Sequence, residues 1–290
     1  MQAQLLPAAS APAAYGGSAP PPPSSAVDHL DHPVARYRFD DLVARKEVRP
    51  DMADDLYGAL TTSKVVLLLD DSGSMGARVP DAMSLPYSRT GFPTRWSELD
   101  MLAHNCIDFV TATTPAGLDC YFLNRAPMLG VTSHEQIAPA FAGAPRGGTP
   151  IISALGNLFQ AYAGVASAGT RVLVVVITDG EPSDGSTRDL FNLLKYRRHP
   201  NIHVSLAEMS DNEETMAFLD GWDNLLVNFD KCAARPLARG ACCGGAVSLP
   251  NAFLFPPPSA PCAARTTLGW SSGACCGRAA CSDSRTMTTS

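Results

Sequence analysis

Residues 64–75 read KVVLLLDDSGSM, and 171–184 read RVLVVVITDGEPSD. In each, an unbroken apolar run stops at an aspartate followed by turn residues. Runs of this length, bounded by turn signals, predict strands buried on both faces of a sheet. Asp70 and Asp71 stand side by side at the end of the first run, where like charges repel. They are read either as solvated turn residues or as ligands of a cation.

Working outward, strand and helix patterns alternate. TRWSELDMLAHNCIDFV puts Trp96, Leu99, Ala103, Cys106 and Val110 on one helical face, with Thr94 as N-cap. GLDCYFLN predicts a strand, and PIISALGNLFQAYAG a helix with Pro150 in its first turn. STRDLFNLLKYRR predicts a helix, NIHVSLAEM a strand, NEETMAFLDGW a helix and LLVNF a short last strand. This order implies an α/β protein, with a doubly wound, mostly parallel, Rossmann-like sheet flanked by helices. Ligands of such sheets bind beyond the carboxyl ends of the strands.

Upstream, the apolar spacing of Phe39, Leu42, Val43, Met52, Leu56 and Leu60 suggests two short helices broken at Pro50. The expected organisation is a disordered Ala/Pro-rich arm (1–27), a helical lead-in (28–63), the α/β domain (64–230) and a Cys/Ala/Pro-rich tail (231–290). The tail has near-duplicates ACCGG and ACCGR but no C-x-x-C pair and no histidine, and its seven cysteines are an odd number. It is read as disordered, or as an artefact of the gene model.

The 290 residues carry a net charge of −6, with 46% apolar and 17% charged residues. The tail carries +5, so the first 230 residues carry −11. An acidic body argues against nucleic acid as partner. Of nine cysteines only Cys106 and Cys120 precede the tail, which suits a reducing compartment. No signal peptide or membrane-spanning run is evident, so a cytoplasmic or otherwise intracellular location is expected.

Three segments carry candidate chemistry. DDSGS offers Asp70, Ser72 and Ser74 in a D-x-S-x-S pattern. RGGTPIISAL places Thr149 before a helix, with Gly147 and Gly148 allowing close backbone approach. ITDGEPSD places Asp179 at the same sheet edge as Asp70. Singly, each has an ordinary role as a cap or turn residue. Together, on three loops at one edge, they suit a cation.

At these residues the chain resembles a von Willebrand factor type A (vWA) domain, and the loops resemble its metal-ion-dependent adhesion site. The resemblance covers about residues 64–229. DDSGSM, TRWSELD, GLDCYFLN, PRGGTPI, ITDGEPSD and the lead-in ARKEVRPDMADDLYGAL are similar to intracellular type A proteins of unicellular eukaryotes and small animals. The resemblance implies that Ser72, Ser74 and Thr149 contact the cation, while Asp70 and Asp179 bind it directly or through water. The donors are hard oxygens, which suit Mg²⁺, with Mn²⁺ or Ca²⁺ as alternatives, rather than zinc.

A shell with two carboxylates leaves room for one more anion. The expected function is therefore non-catalytic: metal-dependent capture of an exposed Asp or Glu on a partner protein. Binding should fail on chelation and below about pH 4. Asp71, Met75, Gly148, Glu181 and Asp184 are the expected partner-facing rim, beside the long loop from Gly76 to Pro93. His104, His199 and His203 receive structural readings. The enzyme rival is a haloacid-dehalogenase-like phosphatase, but its second aspartate would fall at Ser72. A P-loop is excluded for want of G-x-x-x-x-G-K-[ST]. The structural rival is a scaffold whose metal site is silent.

Overall fold

The computed structural model describes residues 33–46, 48, 50–79, 93–209 and 217–233. The expected arm (1–27), most of the loop before Pro93, the first half of the helix expected at NEETMAFLDGW and the tail past residue 233 lie outside them.

Six strands form one sheet in the order β3-β2-β1-β4-β5-β6. They are β1 (Ser63–Leu69), β2 (Leu118–Phe122), β3 (Met128–Val131), β4 (Arg171–Thr178), β5 (Ile202–Glu208) and β6 (Phe229–Ala233). All neighbours pair in parallel except β3, which runs antiparallel to β2. The doubly wound expectation holds. The chain leaves β1 for one edge and β4 for the other, so the crevice between those two carboxyl ends is the switch point where ligands of open α/β sheets sit.

Alternating strand residues serve two cores. Val65, Leu67 and Leu69 face a cluster shared with α1 (Pro33–Arg45), α2 (Pro50–Thr62) and α3 (Arg95–Thr113). Val66 and Leu68 face the other, with Leu155, Leu158 and Tyr162 of α5 (Ile151–Ser167) and Leu190 and Leu194 of α6 (Thr187–Tyr196). The lead-in helices are integral to the first cluster: Phe39 and Leu60 are fully buried, and Phe39 meets Phe109 edge-on at 5.8 Å.

Helix α3 starts where its sequence indicates. Thr94 Oγ1 accepts from Ser97 N and Ser97 Oγ accepts from Thr94 N, a reciprocal capping box. Its expected apolar face, from Trp96 to Val110, is buried. Pro150 sits one residue earlier than expected, at the N-cap of α5.

Three elements depart from the sequence reading. β3 and α4 (His134–Ala142) were not expected, since one is four residues containing Gly130 and the other encloses Pro139. NEETMAFLDGW ends not in a long helix but in a 3₁₀ turn (Ala217–Leu219) and α7 (Trp222–Leu225). LLVNF is not the last strand: β6 begins at Phe229 and runs three residues past the boundary expected at 230. Asn228 takes a left-handed φ of 55°, and Arg198 Nη1 donates to its carbonyl at 2.5 Å, turning the chain into β6.

Asp119 joins three elements at the base of the sheet. It accepts from Tyr162 Oη of α5 at 2.5 Å and Gly130 N of β3 at 2.7 Å, and pairs with Lys64 Nζ of β1 at 3.0 Å. Tyr162→Phe is expected to cost about 1–3 kcal/mol in urea unfolding, because a buried carboxylate oxygen loses its hydroxyl donor.

The imidazole of His203 is pulled down to about 4, first by burial and then by Arg171 and Arg198. The unfolded chain takes up that proton near pH 6.5, so folding stability falls as pH drops from 6.5 toward 4. Asp230, raised to about 6 chiefly by burial, acts in the opposite sense below pH 6. His203→Gln is therefore expected to lose less stability than the wild type between pH 6.5 and 4, measured by thermal melts at stepped pH.

Candidate metal centre

Parallel pairing brings the tips of β1 and β4 together, with Leu69 beside Ile177 and Asp70 N donating to Ile177 O at 2.9 Å. The Asp70 carboxylate accepts from Ser72 N at 2.8 Å and from Thr178 Oγ1 at 2.6 Å. The first bond shapes the D-x-S-x-S loop and the second locks it to β4. Ser72 Oγ and Ser74 Oγ share a hydrogen bond at 2.9 Å, and Ser74 Oγ donates to Asp179 Oδ1 at 2.8 Å. Asp70, Ser72, Ser74 and Asp179 thus form one connected group of oxygens. Asp70, Ser72 and Asp179 are buried while Ser74 reaches the surface, so the group opens to solvent on that side.

The third loop abuts the first. Gly73 N donates to Gly147 O at 3.1 Å, and Arg146 N to Asp71 O at 2.7 Å. Gly147 has φ +107°, and a Cβ there would lie 2.4 Å from Asn124 Oδ1, so only glycine fits. Thr149, 9% exposed, stands two residues on, between this contact and Ser183. Ser183 Oγ accepts from Thr149 N, and Ser183 N donates to Thr149 O, each at 2.9 Å.

The expected rim divides. Asp71 and Met75 are both 0% exposed and so are not partner-facing, a correction to the sequence reading. Asp71 points away from Asp70, accepts from Asn124 N at 2.8 Å and pairs with Arg125 Nε at 3.1 Å. The two carboxylates therefore do not share one cation. Gly148 and Glu181 are exposed. Asp184 is exposed too, but its carboxylate caps α5, accepting from Ile152 N at 3.2 Å and Ser153 N at 2.7 Å.

Several residues at this edge escaped the sequence reading: Thr178, Asn124, Arg125, Ser183 and Arg95. Asn124 and Arg125 follow the end of β2, the neighbour of β1, where polar residues just past a strand tip signal a site. Arg95 Nη1 donates to Asp179 Oδ2 at 2.8 Å in an ion pair with the carboxylate 0% exposed. Its signal is a cation at the first position of a 19-residue helix, the end where the helix dipole disfavours positive charge.

The donors fit a small hard cation. Bonds of about 2.0–2.1 Å at right angles put neighbouring ligands about 2.9 Å apart. Ser72 Oγ–Ser74 Oγ and Ser74 Oγ–Asp179 Oδ1 have those separations, at 2.9 and 2.8 Å. They are also ordinary hydrogen bonds, and stand as such in this structure. Among the described residues no cluster of three or more His, Cys, Asp or Glu is arranged to hold a metal. This edge has a different kind of donor set, rich in hydroxyls. Burial raises the pKa of the Asp70 carboxyl, against the hydrogen bonds from Ser72 and Thr178 that lower it.

No family model and no curated protein matches the chain. Among 35 matching chains of known structure, the SpRpn10 VWA domain aligns at 14% identity and a TM-score of 0.43, covering 60% of this chain and 90% of its own. Likeness at that level assigns neither family nor site.

Arg125 holds the first and third loops together. Besides Asp71 it donates to Ala144 O at 2.7 Å and to Ala140 O, and its guanidinium lies 4.9 Å from the Trp96 ring centroid. Arg125→Met would leave the Asp71 carboxylate buried without its counter-charge. A loss of about 3 kcal/mol is expected in chemical unfolding, the low end for a broken buried pair because Arg125 is 22% exposed. Asp71→Asn in the same chain should recover part of it.

Proposed function

We propose that the sheet edge is a metal-ion-dependent adhesion site of the von Willebrand type A kind, serving protein–protein interaction. The observation that carries this is the convergence of Ser72, Ser74 and Asp179 oxygens at cation-ligand spacings, backed by the buried Asp70. Ser72, Ser74 and Thr149 would hold Mg²⁺, with Asp70 and Asp179 bound directly or through water. Mn²⁺ or Ca²⁺ would substitute. The cation supplies a Lewis-acidic position for one further anion. The chain's own residues shape that position and open it toward Ser74, so a partner's exposed Asp or Glu would reach it there.

A binder accounts for these residues better than a phosphatase. A nucleophilic aspartate needs an acid/base partner two residues on, and that place is held by Ser72. Asp71 is no substitute, since it is committed to Asn124 and Arg125. The net charge of −11 before the tail disfavours nucleic acid. Cys106 and Cys120 are free and buried, and burial pushes the Cys106 thiol up to about 12, so it is a core thiol rather than a reactive one. No helix among the described residues is long and apolar enough to cross a membrane.

Affinity capture from the source cell in Mg²⁺, with parallel chelator washes, tests the reading. Wild type is expected to retain a partner that elutes on chelation. Asp179→Ala and Thr149→Ala are expected to lose at least about tenfold of it, as removal of one ligand of a weakly held cation should. Equal recovery by all three proteins with chelator present would leave a scaffold with a silent site. Turnover of generic phosphoesters abolished by Asp70→Asn would favour the enzyme instead.

A further inference from the structure

We propose that Arg95 is the built-in counter-ion of this centre, that it lowers the centre's affinity for divalent cations, and that it keeps the loops assembled without metal. This rests on the metal-site reading above. The Asp179 side chain is 0% exposed, and a buried carboxylate without a positive partner is strongly destabilising. Arg95 supplies that partner through Nη1, at 2.8 Å from Oδ2, while the other carboxylate oxygen faces Ser74. The guanidinium and a cation at Ser72 and Ser74 would therefore draw on the same carboxylate from opposite sides. With Arg95 in place, Asp70 and Asp179 present a net charge of −1 rather than −2 to an entering ion.

Arg95 is stationed for this charge, not for helix stability. It is the first residue of α3, where the dipole opposes a cation, and its side chain is only 18% exposed. Its buried Nε has no hydrogen-bond partner among the described residues. Leaving that donor unsatisfied is a cost of stationing the guanidinium here, borne in return for the Asp179 pair. The backbone beneath it is firm: Arg95 N donates to Ala77 O and Val79 N to Pro93 O, each at 3.0 Å. Any adjustment to an entering ion would then fall to the side chain. A metal would add a second positive partner to Asp179 on its Ser74 side, without the loops having to refold.

The test is calorimetric titration of the full chain with Mg²⁺ alone and Mn²⁺ alone, paired with thermal melts in chelator and in saturating Mg²⁺. Wild type, Arg95→Gln, Arg95→Lys and Asp179→Ala are compared. Arg95→Gln is expected to bind Mg²⁺ about tenfold or more tightly than wild type, since a nearby positive charge is removed. It should melt lower than wild type in chelator and regain most of the difference in Mg²⁺. Arg95→Lys, which keeps the charge, should stay near wild type in affinity and keeps the question open to measurement if the glutamine variant does not fold. Binding by Arg95→Gln but not by wild type would support the inference in its strongest form. Equal or weaker binding by Arg95→Gln, with Asp179→Ala inactive, would overturn the inference and leave the metal site standing. Absence of binding in every protein would overturn the metal-site reading and the inference with it.

Discussion

The carboxylate of Asp70 is the constraint on which the sheet edge depends. It is almost fully buried at the end of a parallel strand, where burial favours its neutral form. It is kept there by two donors of different origin: Ser72 N of its own loop and Thr178 Oγ1 of β4. The first bond curls the chain so that two serine hydroxyls follow in register. The second ties that curl to the strand that delivers Asp179. Together with the Ser74–Asp179 hydrogen bond, it joins the two acidic strand tips through side chains as well as backbone.

Two adjacent carboxylates are stable at one strand end because they face different ways. Asp70 looks toward β4, while Asp71 looks toward β2 and the Asn124–Arg125 pair. Asp71 thereby has a mechanical task. It draws together the end of β2, its own loop and, through Arg146 N, the segment leading to Thr149. Each buried acid at this edge is balanced by a donor from a distant part of the chain, so the loops cohere before any ligand is considered.

The lead-in helices matter to the site indirectly. Phe39, Leu42, Leu56 and Leu60 pack with Phe109 of α3 and with Leu67 and Leu69 of β1. Helix α3 is thereby held between the lead-in and the sheet, with its first turn over the switch point. That placement sets Arg95 against Asp179 and Trp96 against Arg125. The acidic edge is governed as much by where a helix begins as by the loops that bear its aspartates.

Much of this was legible in the chain alone. Four of the six strands and the main helices were announced by local signals: VVLLL and VLVVVI by unbroken apolar runs, α3 by Thr94 and a 3.6-residue repeat. Asp70, Ser72, Ser74 and Asp179 could be placed at one edge because parallel order puts strand ends on the same side. Other features had no local signature. β3 exists because β2 offers it an edge, β6 starts at Phe229 because Arg198 binds the preceding carbonyls, and Asp71 turned inward because Arg125 waits 54 residues away. Residue type and spacing determined which groups could act at the edge. Only tertiary packing decided which charge faces which, because that depends on contacts between segments far apart in sequence.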